Sequence, residues 1–435
     1  MDGTLTVETK INTTSNDVLT VKEFLAEGDE SELYKVTYQG EEKALKWYKK
    51  SFLYSNKDIQ AFYENLKTNI NNGKPSNEFL WPIALTEFDG DTFGYIMDII
   101  PSEYRTLSEF MIGRVNFNSY RKRIDACLYI VNAFKNLHDK GLNYQDLDAC
   151  EFWINPEKIK ILISECDKIA QSDKEIGILG KPRYLAPEVV LGKAKPNNQT
   201  DRFSMAIILY IILCYNHPLE GKRSLESAIS ADLISKSYGS EAYFMMDPDP
   251  NNPNKPSETI HKNSIAIWNR LPNYVKEIFL KVFSQDSIKN QIDRPLEIDW
   301  LKILTRFRSD IVNCSCGNEV FTKNGESCKC ENCNNTIQIP FKLCLSDYAI
   351  PVTKTSRIYK CQLNNTDNAL APVASVVPTK DTGKLHIWNK TKDTWDAKTP
   401  SGKSKTVAPE SKIPLKSGII FTVNGQEIKI EANKN

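Results

Sequence analysis

The chain has 435 residues, 40% of them apolar, which is long for one hydrophobic core and suits two or three folded units. Its 56 lysines and arginines almost cancel 55 aspartates and glutamates, so overall charge supplies no general attraction to nucleic acid or to an anionic membrane. The opening MDGTLTVETKINTT lacks a basic-then-apolar leader, which argues against secretion, and the longest apolar run, Met205 to Tyr215, covers 11 residues, too short to span a bilayer. Cysteines outside one cluster show no pairing pattern, so the expected compartment is the cytoplasm.

Taken in chain order, residues 18–48 predict an antiparallel meander, because apolar residues alternate through VLTVKEFLAEG, ELYKVTY and EKALKWY with a Gln39-Gly40 turn. Residues 57–70 predict a helix with Ile59, Phe62, Tyr63, Leu66 and Ile70 on one face. Strands are expected in FLWPIALTE and FGYIMDII. From Asn118 the spacing of Ile124, Leu128, Val131 and Leu137 predicts a long helix, capped by Asn118 or Ser119 and ended by Gly141. Short strands fit 152–154 and 159–163, and helices should dominate from Gln199 to Arg308. The stretch DPDPNNPNKPSE, 247–258, predicts a surface loop. Five cysteines crowd into residues 314–333, as reduced thiols at a metal site would. Residues 340–435 predict an all-β region closed by a type I′ hairpin at Asn424-Gly425.

The segments LAEGDESELYKV, ALKW, NYQDLDACEFWI, RYLAPEVV, TDRFSMAIILY and DRP follow one another as protein-kinase subdomains do. The chain resembles the protein kinases, and among them the bacterial kinases of tellurium-resistance-linked phosphorylation cassettes. EFLWPIALTE, FGYIM, YQD in place of HRD, NHPLEG, the Asp-Pro-Asn loop near 247 and the cysteine knuckle carry that narrower likeness. It implies an α+β, bilobal kinase fold, with an N-lobe at 1–98 and a C-lobe at 99–310. A zinc-ribbon knuckle at 311–338 and an all-β interaction domain at 339–435 follow. The likeness is strong to about residue 310 and weak after 345.

The resemblance also implies roles. Lys46 takes the place of the lysine that contacts the ATP phosphates, with Glu64 as its ion-pair partner. Gly28 is what remains of the glycine-rich hairpin, Met97 and Asp98 stand at the adenine hinge, and Asp146 matches the aspartate that orients the substrate hydroxyl. Glu188 and Arg294 should form a buried pair, and Asp201 should cap the catalytic-loop backbone.

Departures fall on the magnesium ligands. Glu151 stands where the second metal's asparagine belongs, and Glu165, Cys166 and Asp167 occupy the three DFG places. Glutamate keeps the charge but extends the carboxylate by about 1.5 Å, and a misplacement of about 1 Å can cost ~100-fold in rate. Lys181 replaces the threonine of GTPRYxAPE, and Asp148 replaces the catalytic-loop lysine. Between Glu165 and Ala186 the hydroxyls are Ser172 and Tyr184 alone, which leaves little for activation by phosphorylation.

Cys314-x-Cys316 and Cys330-x-x-Cys333 resemble the two knuckles of a zinc ribbon and imply a closed, structural four-thiolate site, with Cys328 as an alternative to Cys330. The tail resembles the forkhead-associated sandwich in KLHIWNKTKDTW and the last hairpin. It lacks a Gly-Arg or Ser-x-x-His phosphate motif, which favours a protein-interaction module over a working phosphopeptide reader. Two functions stay open. One is a regulatory pseudokinase that binds ATP weakly or not at all. The other is a slow serine/threonine kinase that uses ATP with magnesium or manganese through a rearranged site. Relatives of this type imply protein partners, a von Willebrand A-type protein and a metal-dependent phosphatase.

Overall fold

Alternation along residues 10–48 builds the first layer. In the computed structural model, which describes residues 3–55, 58–172, 174, 180–225, 230–291, 294–379 and 383–434, six antiparallel strands run in the order β1-β2-β3-β4-β6-β5. They are β1 (Lys10–Asn12), β2 (Val18–Glu27), β3 (Ser31–Tyr38), β4 (Glu41–Tyr48), β5 (Ala84–Leu85) and β6 (Gly94–Met97). Period-two side chains divide the sheet into two faces. Leu19, Val21, Tyr34, Val36 and Leu45 pack one cluster. Ala44, Tyr48, Tyr95 and Met97 pack another against helix α1 (Ile59–Asn72), which presents Phe62, Tyr63 and Leu66. Asp58 caps α1 by accepting from the Ala61 amide at 2.8 Å.

Two compact units account for the chain: Met1–Phe117 with Ala133–Arg270 and Glu277–Pro295, and Asn118–Asn132 with Leu271–Lys276 and Leu296–Asn435. Helix α2 (Tyr120–Asp139) begins in the second and ends in the first. Ser119 Oγ accepts from the Lys122 amide at 3.2 Å, so of the two residues considered for the cap it is Ser119 that serves. The helix stops before Gly141, whose φ of +72° favours glycine. The hairpin of β7 (Phe152–Ile154) and β8 (Ile161–Ile163) follows. Its second strand starts two residues later than expected, because Ile159 turns the chain at a φ of +48°.

The first unit's helical framework is held by α3 (Pro187–Val190) and α4 (Asn198–Cys214). Residues Phe203 to Cys214 are buried without interruption, as their apolar run requires. Arg294 forms a two-pronged bond to Glu188, 2.7 and 2.9 Å, with both side chains buried. Asp201 Oδ2 accepts from the Tyr144 amide at 2.7 Å and lies 3.1 Å from His138 Nε2. Residues 247–258 form neither helix nor strand, yet they are not a freely solvated loop. Asn252 and Asn254 are buried and donate to the carbonyls of Phe244, Leu219 and Tyr243, replacing water with backbone partners. Asp293 of DRP lies outside the described residues.

The second unit begins its own strands after helix α5 (Glu297–Ser309). Two ribbons, β9 (Ile311–Asn313) with β10 (Glu319–Phe321) and β11 (Cys328–Lys329) with β12 (Thr336–Ile337), carry the cysteine region. Glu319 accepts from Ser119 Oγ at 2.8 Å and from the Tyr120 amide at 2.5 Å, at the start of α2.

A β-rich region follows with β13 (Phe341–Cys344), β14 (Ala349–Pro351), β15 (Arg357–Tyr359), β16 (Pro372–Pro378), β17 (Leu385–Asn389), β18 (Trp395–Lys398), β19 (Ser404–Val407), β20 (Lys412–Pro414), β21 (Ile420–Val423) and β22 (Gln426–Ala432). They form a six-stranded sheet, β14-β13-β22-β21-β18-β19, and a four-stranded one, β15-β16-β17-β20. Inward residues of both, including Ile350, Ile358, Ile387, Phe421 and Ile430, share one core. Asn424 and Gly425 have φ of +51° and +76°, the two positive values a type I′ turn needs between β21 and β22. Among the described residues no helix is long and apolar enough to cross a membrane.

Candidate active site

The meander, the loop after α2 and the turn after β8 enclose a cavity of about 440 Å³ lined by Gly28, Lys46, Asp146, Glu151, Glu165 and Lys168, with Asp29, Glu30, Asp148 and Lys181 beside them. A second cavity, about 470 Å³, is lined by Leu33, Ala44, Met97, Asp98, Tyr104 and Trp153, an apolar slot with a hinge-like strand end. Asp98 is bound to Lys43 at 2.8 Å. At Gly28 an added Cβ would meet nothing closer than 3.7 Å, so this position does not itself demand glycine. Gly180 does, because a Cβ there would lie 2.6 Å from Asp146 Oδ1.

Lys46 is 3% exposed, on β4. Its Nζ donates to Glu165 Oε2 at 2.7 Å and to Asp167 Oδ2 at 2.8 Å. Burial works against the ammonium, but Asp167 and Glu165 hold its pKa above the ordinary lysine value. Tyr48, two residues on and therefore on the same strand face, donates its hydroxyl to the same Asp167 oxygen. Asp167 is fully buried; despite that burial, Lys46 and Lys168 keep its pKa below the usual carboxylate range. The expected Lys46–Glu64 pair is not formed. Glu64 lies on the exposed face of α1, where Gln60 Nε2 donates to it at 3.1 Å. The helical phase that buries Phe62 and Leu66 turns position 64 outward. It brings Asn65 and Asn69 inward instead, and both donate to the Ile169 carbonyl, at 2.8 and 2.7 Å.

The remaining acids are also engaged. Glu165 adopts a left-handed φ of +54°, a conformation that costs a non-glycine residue about 1 kcal/mol. Glu151 accepts from Ser164 Oγ at 2.6 Å. Burial, then the charge of Glu165, raises its pKa to about 8, so at neutral pH it holds a proton. Asp146 Oδ2 accepts from Lys168 Nζ at 2.6 Å. Asp148 and Lys181 bond to each other; the two departures from the kinase pattern are therefore complementary, a reversed charge at one answered at the other. Ser172 donates to Asn198 at 2.9 Å, while residues 173 and 175–179 lie outside the described residues.

A magnesium ion would need carboxylate oxygens free to face it at about 2.0–2.1 Å. Glu165 serves both Lys46 and Lys168, Glu151 is neutral, and Asp167 does not line the cavity. The donor set present does not fit a kinase metal site.

The cysteines differ. The sulfurs of Cys314, Cys316, Cys330 and Cys333 all lie within 4.8 Å of one another, with Cys314–Cys333 at 3.5 Å and Cys316–Cys330 at 3.6 Å. Tetrahedral zinc with bonds of about 2.3 Å places its sulfurs about 3.8 Å apart, so the four fit. Cys328 is on β11, paired with Ile337, and is not among the four. The Asn318 amide, then the Asn332 side chain, lower Cys316 to about 6.

Sequence reasoning missed Tyr48, Asn65, Asn69 and Lys168. The period of two in ALKWY would have found Tyr48, and the period of α1 would have found the asparagines. For Lys168, the extra cation in ECDK was the available signal.

A protein kinase domain family model matches residues 19–289. CBL-interacting protein kinase 21 of Oryza sativa subsp. japonica is 27% identical over 101 residues, which are 22% of this chain and 19% of that protein. Human cGMP-dependent protein kinase 2 is 30% identical over 109 residues, 25% of this chain and 14% of its own. The chain thus spans less than a fifth of the length of these curated relatives. The solved PknI kinase domain of Mycobacterium tuberculosis aligns with a TM-score of 0.46 and 15% identity, over 69% of this chain and 98% of that one. Because the family model takes in strands β3 to β6, Asp146 and helices α3 and α4 together, over more than half of the sequence, this chain belongs to the protein kinase domain family.

Proposed function

We propose that the chain is a kinase-fold signalling protein that acts as a regulatory pseudokinase, binding ATP weakly or not at all and docking protein partners. One observation carries this reading: Asp167, at the third DFG place, is the buried partner of Lys46. The phosphate-contacting lysine is thereby bound to the wall of its own site. Five carboxylates, the protonated Glu151 and three lysines line the phosphate cavity, and Glu165 and Glu151 stand where metal ligands are needed. Anions at ~4 Å repel by about 4 kcal/mol at a protein-surface dielectric, so bare triphosphate is disfavoured.

The tail, with a core shared by two sheets, fits an interaction module of forkhead-associated type, and the cysteine cluster fits structural zinc. A cytoplasmic place in a tellurium-resistance-linked phosphorylation cassette, with a von Willebrand A-type protein and a metal-dependent phosphatase as partners, completes the proposal. A slow serine/threonine kinase is the second reading, favoured by Lys46 and Asp146 lining one cavity.

Incubation with γ-labelled ATP, magnesium or manganese and a general kinase substrate decides between them, with Asp146→Ala beside the wild type. No transfer above the variant is expected. Label lost in the variant would overturn the pseudokinase reading.

A further inference from the structure

The pocket holds a second internal cation besides Lys46. Lys168 closes the short turn that begins at Glu165, and its side chain is 7% exposed. Its Nζ lies 2.6 Å from Asp146 Oδ2, 3.1 Å from Glu30 Oε1 and 3.6 Å from Glu165 Oε2. These acids come from three segments distant in sequence: the β2–β3 turn, the loop after α2 and the turn after β8. A carboxylate trio of this kind is what a hard divalent ion seeks. An ammonium among the same oxygens meets such an ion as a like charge at close range, with little solvent to screen it.

We propose that Lys168 is a built-in cation that occupies the centre of the acidic trio and excludes magnesium and manganese from it. The proposal rests on the pseudokinase reading and supplies its cause: the acids at Asp146 and Glu165 are retained, but as partners of a lysine. The same contacts tie the β2–β3 turn to the catalytic aspartate through Glu30. Two properties set Lys168 apart from an ordinary surface lysine: its near-complete burial, and three acidic partners where one would satisfy a structural pair. Removing its charge should turn a self-neutralised cluster into an open acidic one.

The test measures manganese binding to the full chain, loaded with zinc, by loss of the free Mn²⁺ paramagnetic resonance signal. Wild type, Lys168→Met, Lys168→Gln and Lys168→Arg are compared, each with a thermal unfolding curve. Wild type and Lys168→Arg should leave the signal of free manganese unchanged. Lys168→Met or Lys168→Gln should bind the ion at least about tenfold more tightly, since a hard cation then meets unneutralised carboxylates. Manganese binding by wild type equal to that of Lys168→Met overturns the proposal, as does a folded Lys168→Met or Lys168→Gln that gains none. Gain in Lys168→Arg equal to that in Lys168→Met overturns it too, because charge would then not be the reason. Label transfer by wild type with manganese would sink the pseudokinase reading together with this one. An inert wild type whose folded charge-removing variants stay metal-free would sink this one alone.

Discussion

The phosphate cavity and the four-cysteine cluster each gather anionic donors from separated stretches of chain, yet they balance the charge in opposite ways. Around the cavity, the lining carboxylates of Glu165 and Asp146 and the buried Asp167 behind them already hold the ammonium groups of Lys46 and Lys168. In the cysteine cluster four sulfurs converge within 4.8 Å, and the side-chain amides of Asn318 and Asn332 donate to two of them at 3.8 and 3.7 Å. Donors that are satisfied by side chains describe a wall, while donors aimed at one another describe a site. The spacing of residues alone does not separate these cases; the location of the balancing cation does.

The largest effect should come from the cysteine cluster. Cys330→Ser, or chelation, should release one zinc per chain and remove amide-exchange protection from residues 311–339, since structural zinc in small motifs contributes about 10 kcal/mol. Unchanged protection and no released metal would reduce the cluster to free thiols. Next, Lys46→Met should lower the urea-unfolding free energy by about 3–5 kcal/mol, because the buried Asp167 loses the ammonium bonded to it. A variant as stable as wild type would show that Lys46 is not the carboxylate's counter-ion.

A smaller effect belongs to pH. Glu151 titrates near about 8 in the folded chain against an ordinary 4.5, so the folded state keeps a proton that the unfolded state releases. Its stabilising contribution is complete below about pH 4.5 and is lost as pH rises through about 8. Glu151→Gln should flatten stability over that window, and an equally steep curve in the variant would contradict the assignment. The smallest effect is at Glu64. Glu64→Ala should change stability by less than about 0.5 kcal/mol. A loss like that of Lys46→Met would restore the ion pair that the fold does not show.

Much of this architecture is legible from local pattern. The meander over residues 18–48, the helix from Ser119, the buried run of α4 and the Asn424-Gly425 turn are each dictated by neighbours in sequence. So are the convergent pairs of cysteines, because a knuckle is a local turn. The place of Glu64 eighteen residues after Lys46 says nothing about helical phase, and only the packing of Phe62 and Leu66 sets that phase. Lys168 was overlooked because its three partners lie 3, 22 and 138 residues away. Sheet order in the tail was likewise hidden. Strand β13 pairs with β22, whose residues follow it by more than eighty positions, and such non-local pairing leaves no periodic trace.

The carboxylate of Glu319 sits on the first amides of helix α2, where it satisfies donors that the helix cannot bond internally and meets the positive end of its dipole. That contact places a residue of the cysteine region, thirty positions past the end of the family match at 289, at the start of the helix that leads into the catalytic loop. A fragment cut at residue 310 would keep the Ser119 cap on the Lys122 amide but would lose the acceptor of Ser119 Oγ and of the Tyr120 amide. The family match therefore ends short of a residue that caps one of the helices it contains. Any activity found or missed in a kinase-only fragment would describe a differently capped molecule.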